Sequence, residues 1–142
     1  MKISAVLDYA ATPDEVFAMI ADEDFQNRKC TATGALRHTV SIRSQDDRTI
    51  VRCTRDMPTD GLPSFVQSMT GESLAVTETQ DWGPPEADGA RRGTLTVEMG
   101  GAPMDLKGTL SLATGGQGSL ETVEGELKAT IPIIGRKIEQ TS

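Results

Sequence analysis

A chain of 142 residues with 37% hydrophobic and 25% charged side chains has the composition of one globular domain, residues 1–142, with no room for a second core. Its 14 Lys and Arg stand against 21 Asp and Glu, and the net charge of −7 argues against nucleic acid or an anionic membrane surface as partner, since both demand a basic face. Aromatic residues make up only 4%, too few for a base-stacking platform.

The N-terminus, Met1-Lys2-Ile3-Ser4, lacks a charged-then-apolar leader and runs directly into strand-like sequence. No apolar run reaches the ~18 residues of a membrane-spanning helix. The expectation is a cytoplasmic protein with no integral membrane association. Ile3, Ala5, Leu7 and Tyr9 alternate with polar residues, the period-two pattern of a half-buried strand. Thr12-Pro13-Asp14-Glu15 then forms a capping box with Pro at the first helical position, and Val16, Phe17 and Ile20 give the short helix an apolar face. A second short helix is expected from about Asp22 to Ala32, closed by Gly34. After Gly34, Thr becomes abundant and five segments bounded by Gly, Pro and Asp alternate as strands.

The registers of these strands check one another. A two-residue turn at Asp46-Asp47 sets Ile42 against Val51, Val40 against Cys53 and Leu36 against Met57. A turn from Trp82 to Arg91 sets Leu74 against Met99 and Val76 against Val97. A loop at Gly100-Gly101-Ala102-Pro103 pairs Val97 with Leu106, and a turn at Gly115-Gly116-Gln117-Gly118 pairs Leu110 with Val123 and Leu106 with Leu127. Each hairpin places apolar against apolar on one face, and a one-residue slip would expose the whole set. Between the second and third of these strands, Gly61 and Gly71 bracket Leu62, Phe65, Val66 and Met69 at helical spacing. That segment reads either as a short plug at one end of the sheet or as a lid hinged on its glycines.

The order of one strand, two short helices and a long antiparallel meander resembles the helix-grip fold of the START and birch-pollen-allergen-like (SRPBCC) superfamily. The opening from Tyr9 to Asp22, an acidic capping box before Val16-Phe17, is similar to that superfamily's usual start. The stretches Gly34–His38, Asp60–Phe65 and Val123–Leu127 resemble one bacterial branch of unknown function. The resemblance implies an α+β fold in which a curved antiparallel sheet grips a C-terminal helix, with a hydrophobic ligand cavity between them. Members bind lipids, sterols or polyketides, and some catalyse cyclisation or dehydration. The end of the chain departs from the pattern. Crossing the sheet takes about 30 Å, some 20 residues of helix, whereas the seven residues after Gly135 reach roughly 10 Å. Ile131, Ile133, Ile134 and Ile138 read as the start of a packed helix cut short. The face centred on Leu106, Leu110, Val123 and Leu127 would then be partly uncovered, and the chain would associate as a homodimer.

Three ionisable residues, His38, Arg55 and Glu78, interrupt the otherwise apolar inner face, and His38 falls opposite Arg55. Arg55 and Glu78 either pair at the rim beside a satisfied core histidine, or His38 and Arg55 hold a ligand's carboxylate or hydroxyl, or His38 acts as a base oriented by Glu78. The cavity candidates are His38, Arg55 and Glu78, with Trp82, Leu95 and Leu110 from the sheet and Leu62, Phe65 and Met69 from the glycine-bounded segment. The acidic residues Glu121, Glu124 and Glu126 read as solvated strand faces. Gly108 and Gly125 face each other on neighbouring strands, where glycine lets a sheet bend. Cys30 and Cys53 lack metal-ligand spacing, the chain has one His, and no nucleophile or phosphate-loop motif occurs, so neither metal nor cofactor is expected. The first functional expectation is a non-enzymatic carrier or sensor of a small hydrophobic molecule. The alternatives are a cyclase- or dehydratase-like enzyme on a ketide, and a protein-interaction module using the sheet groove.

Overall fold

The computed structural model describes residues 1–101 and 104–129. The expectations for Ala102-Pro103, for the side chain of Val66, and for Ile131, Ile133, Ile134, Ile138 and the C-terminal helix lie outside the described residues. Seven strands form one antiparallel sheet: β1 (Lys2–Tyr9), β2 (Arg37–Gln45), β3 (Arg48–Pro58), β4 (Ser73–Trp82), β5 (Arg91–Gly100), β6 (Met104–Gly115) and β7 (Gly118–Ala129). Their spatial order is β1-β7-β6-β5-β4-β3-β2, so β1 and β2 are the two edges. Six strands therefore follow Gly34, one more than the segment count gave.

The chain crosses from one edge to the other through two helices, α1 (Pro13–Ile20) and α2 (Glu23–Ala32). Thr12 caps α1: its hydroxyl accepts from the Glu15 amide at 3.2 Å, and the Glu15 carboxylate accepts from the Thr12 amide at 3.1 Å. The Thr12 amide and the Thr12 hydroxyl, which donates to the same carboxylate at 2.9 Å, hold the Glu15 carboxyl below its ordinary range. Asp22 caps α2 by accepting from the Phe25 amide at 3.0 Å, and Gly34, at φ +85°, ends the segment as expected. α1 packs on β6 and β7 while α2 packs on β2 and β3, so the pair lies across the inner face of the sheet. A third helix, α3 (Ser64–Thr70), leans on β4.

The core is the inner face beneath α1. Val16, Phe17 and Ile20 pack over Trp82, Leu95, Leu110 and Leu112, and Trp82 is wholly buried. The Phe17 and Trp82 rings meet edge to face, 5.9 Å between centroids, and the Arg91 guanidinium lies 3.7 Å from the centre of the Phe17 ring. The Trp82 indole N–H donates to Gln80 at 2.9 Å, which satisfies the polar atom that burial would otherwise orphan.

Four of the five hairpin and glycine registers stand as read. Ile42 faces Val51, Val97 faces Leu106, Leu110 faces Val123, and Gly108 faces Gly125. Asp46 takes the left-handed φ of 57° that a two-residue hairpin turn requires. Leu36 falls just before β2 and is 58% exposed. The β4–β5 register is corrected by two residues: Val76 faces Met99 and Glu78 faces Val97. A two-residue shift keeps every side chain on its own face, so apolar alternation cannot detect it. The connection 83–90 sets it instead, through bonds from the Gly83 amide to the Arg92 carbonyl at 2.8 Å and from the Glu86 amide to the Ala90 carbonyl at 2.7 Å.

Gly108 and Gly125 mark a close approach of β6 and β7. A methyl on Gly108 would collide with the Glu124 carbonyl oxygen and lie 2.7 Å from the Gly125 Cα, both backbone atoms that cannot yield cheaply. Gly108→Ala should destabilise the fold by about 1–3 kcal/mol, the cost of overpacking. Gly100→Ala, whose added methyl would meet only ordinary contacts at 3.5 Å, should change stability far less. Denaturant melts of both variants check this, and equal midpoints would remove the close-approach argument.

Candidate functional site

Where α1 and α2 diverge over the sheet they leave a cavity of about 260 Å³. Its apolar lining is Leu7, Ile20, Phe25, Leu95, Leu110 and Val123, and its polar lining is Tyr9, Gln26, Lys29, Glu78, Gln80 and Glu121. Strand alternation explains why both kinds point inward. Register sets Glu78 opposite Val97, Gln80 opposite Leu95, and Glu121 between Leu112 and Leu7. Leu7, on edge strand β1, remains 46% exposed and marks the open side.

The helix α2 supplies the partners for the sheet's inward polar groups. Lys29 Nζ donates to Glu78 Oε2 at 2.9 Å, and Arg55 Nη2 stands 3.8 Å from Glu78 Oε1. Gln80 donates to the same Glu78 carboxylate at 3.3 Å. Gln26, almost wholly buried, donates to the Ile20 carbonyl at 2.8 Å and accepts from Cys53 Sγ at 3.5 Å. Burial by itself would raise the Glu78 carboxyl; the Lys29 ammonium, then Arg55 and Gln80, outweigh it and hold the carboxyl below its ordinary value. Both thiols are free and fully buried, and burial pushes the Cys53 thiol up to about 11.

Glu121 has the opposite environment. It is 7% exposed, and its Oε1 accepts from the Tyr9 hydroxyl at 3.2 Å. The nearest cation in the lining, Lys29, directs its hydrogen bond to Glu78. Burial pushes the Glu121 carboxyl above its ordinary value, and the Tyr9 hydrogen bond and the more distant Lys29 charge offset this only in part. The Tyr9 phenol is pushed up to about 12 by its own burial and then by the neighbouring Glu121. The reading of Glu121 as a solvated acid is thus corrected. Glu124 and Glu126 do face solvent, but they lie on the other face of β7. The signal was present in parity: Glu121 shares its face with Val123, two residues on.

Of the nine cavity candidates, Glu78, Leu95 and Leu110 line this cavity. Arg55 touches it only through Glu78, and His38 bonds to the Asn27 side chain at 3.0 Å, both outside the lining. Trp82 belongs to the core under α1. Leu62, Phe65 and Met69 sit in and before α3, away from the lining, and Leu62 is 38% exposed. Sequence reasoning missed Gln26, Lys29, Gln80 and Glu121, and saw Tyr9 only as a strand residue. Among the described residues no three His, Cys, Asp or Glu side chains gather as metal ligands, and no helix is long and apolar enough to cross a membrane.

The fold is thus of the α+β class, an open, curved antiparallel sheet with helices on its inner face. Two solved structures share it at low identity. One is TTHA0849 from Thermus thermophilus, with a TM-score of 0.56 and 19% identity over 99% of this chain and 85% of that one. The other is CV1439 from Chromobacterium violaceum, with a TM-score of 0.50 and 15% identity over 99% of this chain and 89% of that one. Among curated proteins none matches the chain significantly. The profile of the family described as "Protein of unknown function (DUF2505)" matches residues 4–141, and the chain belongs to that family.

The two cavity carboxylates should affect stability in opposite senses. Glu78, held below its ordinary value of 4.5, contributes stability that is present above that value and lost as pH falls through its lowered folded value. Glu121, raised above 4.5, imposes a penalty that is absent below that value and grows as pH rises through its folded value. Lys29→Met should therefore cost about 1–3 kcal/mol at neutral pH, where Glu78 is left with weaker partners, and less in acid. Glu121→Gln should raise the melting midpoint at neutral pH, with the advantage vanishing below about pH 4. Thermal melts of both variants from pH 3 to 8 check the signs; parallel pH dependence would contradict the assignment.

Proposed function

We propose that this protein binds one small, largely apolar molecule in the cavity between the sheet and the helices α1 and α2, as a carrier or sensor. The observation that carries the reading is a preformed pocket of about 260 Å³, just under the usual size of a small-molecule site, with the usual composition of apolar walls and inward polar groups. The START-like, helix-grip assignment belongs to the same proposal, supported by the order of one strand, two helices and six strands. Helices α1 and α2 lie over the cavity described, and the C-terminal helix that the resemblance implies lies outside the described residues. The small-molecule reading accounts better than a protein-interaction groove does for a cavity with helices over it, because a partner helix would need an uncovered surface.

A cyclase- or dehydratase-like reading has one observation in its favour, a carboxyl of raised affinity for protons beside a phenol inside the cavity. Turnover of a bound ligand, followed by mass, separates enzyme from carrier.

Native mass spectrometry of the protein equilibrated with 1-octanol tests the cavity itself. One bound molecule per chain is expected, and Val123→Trp, which fills the space between Leu110 and Ala5, should lose the adduct while keeping a cooperative melt. A wild-type protein that takes up no alkanol and co-purifies with no small molecule would contradict the proposal.

A further inference from the structure

The cavity's charge distribution specifies the head group it accepts. We infer that Glu121 and Tyr9 form the recognition end of the site and select an amphiphile whose head donates hydrogen bonds, a primary ammonium or a hydroxyl, over one that ends in a carboxylate. This rests on the cavity-binding reading and adds the chemical class of its ligand.

Four observations lead there. First, among the described residues the lining holds two carboxylates, Glu78 and Glu121, against one ammonium, Lys29. Second, that ammonium is committed: it sits 2.9 Å from Glu78, inside a cluster completed by Gln80 and Arg55. Third, Glu121 has one oxygen bonded to Tyr9, and its other oxygen makes no hydrogen bond among the described residues. Fourth, Glu121 is 7% exposed as a residue, yet its unbonded oxygen is not among the fully buried unpartnered atoms, so it opens onto the cavity where a ligand donor can reach it. An entering carboxylate meets the reverse. It would stand beside Glu121 with Lys29 already held by Glu78, and a like-charge contact in a poorly solvated cavity is repulsive. The anion-holding end expected of His38 and Arg55 has no counterpart in the lining, since neither residue reaches it.

A carboxyl buried beside a phenol, with one oxygen unbonded among the described residues, is arranged to receive a hydrogen-bond donor from within the cavity. The tail would then lie along Leu95, Leu110 and Val123 toward the open side at Leu7, so head and tail fit one direction of entry.

Calorimetric titration of the full chain with three eight-carbon probes, octylamine, 1-octanol and octanoate, decides the matter at pH 7. Octylamine is expected to bind at least tenfold more tightly than octanoate, with octanol between them. Glu121→Gln should weaken octylamine at least fivefold and leave octanoate unchanged or improved. Tyr9→Phe keeps the carboxyl and removes its internal donor, so octylamine should bind as tightly or better while octanoate binds worse. Val123→Trp should weaken all three probes alike. Octanoate binding as tightly as octylamine, or Glu121→Gln weakening all three equally, would overturn the head-group assignment and leave the cavity reading standing. Failure of all three probes to bind would remove both.

Discussion

The contact between Lys29 and Glu78 ties the whole arrangement together. An open seven-stranded sheet leaves its inner face exposed unless something lies across it, and the chain passes from edge strand β1 to edge strand β2 through α1 and α2. α1 covers its half with apolar side chains. α2 cannot, because its buried positions include Gln26 and its half-buried ones Lys29. It is held instead by directed polar contacts to the centre of the sheet, the 2.9 Å ion pair foremost. A partly buried pair of this kind adds little net stability relative to a hydrophobic pair of the same shape, but losing one member is costly. It therefore fixes where α2 sits, and the position of α2 defines the cavity.

The second consequence is electrostatic. Among the described residues Lys29 is the one cation in the lining, and by answering Glu78 it leaves Glu121 with a phenol for company. Two carboxylates on neighbouring parts of one face thus acquire opposite properties: one is held ionised, the other is pushed toward the neutral form. A chain selected for stability alone would place an apolar residue at position 121, as it does at the paired position Leu112. The departure from that rule faces the cavity, which is where a stability cost is expected if the site serves a ligand.

Much of the fold was readable because it depends on local rules. Period-two alternation, turn residues and the Thr12 capping box placed the strands and α1, and facing apolar pairs fixed most registers. The β4–β5 register was not readable, since its error of two residues preserved the face of every side chain and the true offset depends on bonds within the connection 83–90. Glu78, Leu95 and Leu110 were legible as inward residues from the same alternation. Glu121 was equally legible by parity with Val123, but its charge and two acidic neighbours drew it into a solvated group. Lys29 and Gln26 were not legible at all: α2 carries few apolar residues, so periodicity could not reveal which side of it faces the sheet, and their partners lie 49 and 27 residues away. Interactions of that kind are set by tertiary packing and leave no trace in a local pattern.

The central claim is that Lys29 divides the two cavity carboxylates into one paired and one unpaired group. Carboxyl-carbon NMR titration of the unliganded protein, with Glu78 and Glu121 resolved in one experiment, tests it most directly. The account requires Glu78 to titrate below the ordinary glutamate value and Glu121 above it, with Glu121 rising further in Tyr9→Phe and Glu78 rising in Lys29→Met. Glu121 titrating at or below Glu78, or two midpoints that ignore both substitutions, would contradict it.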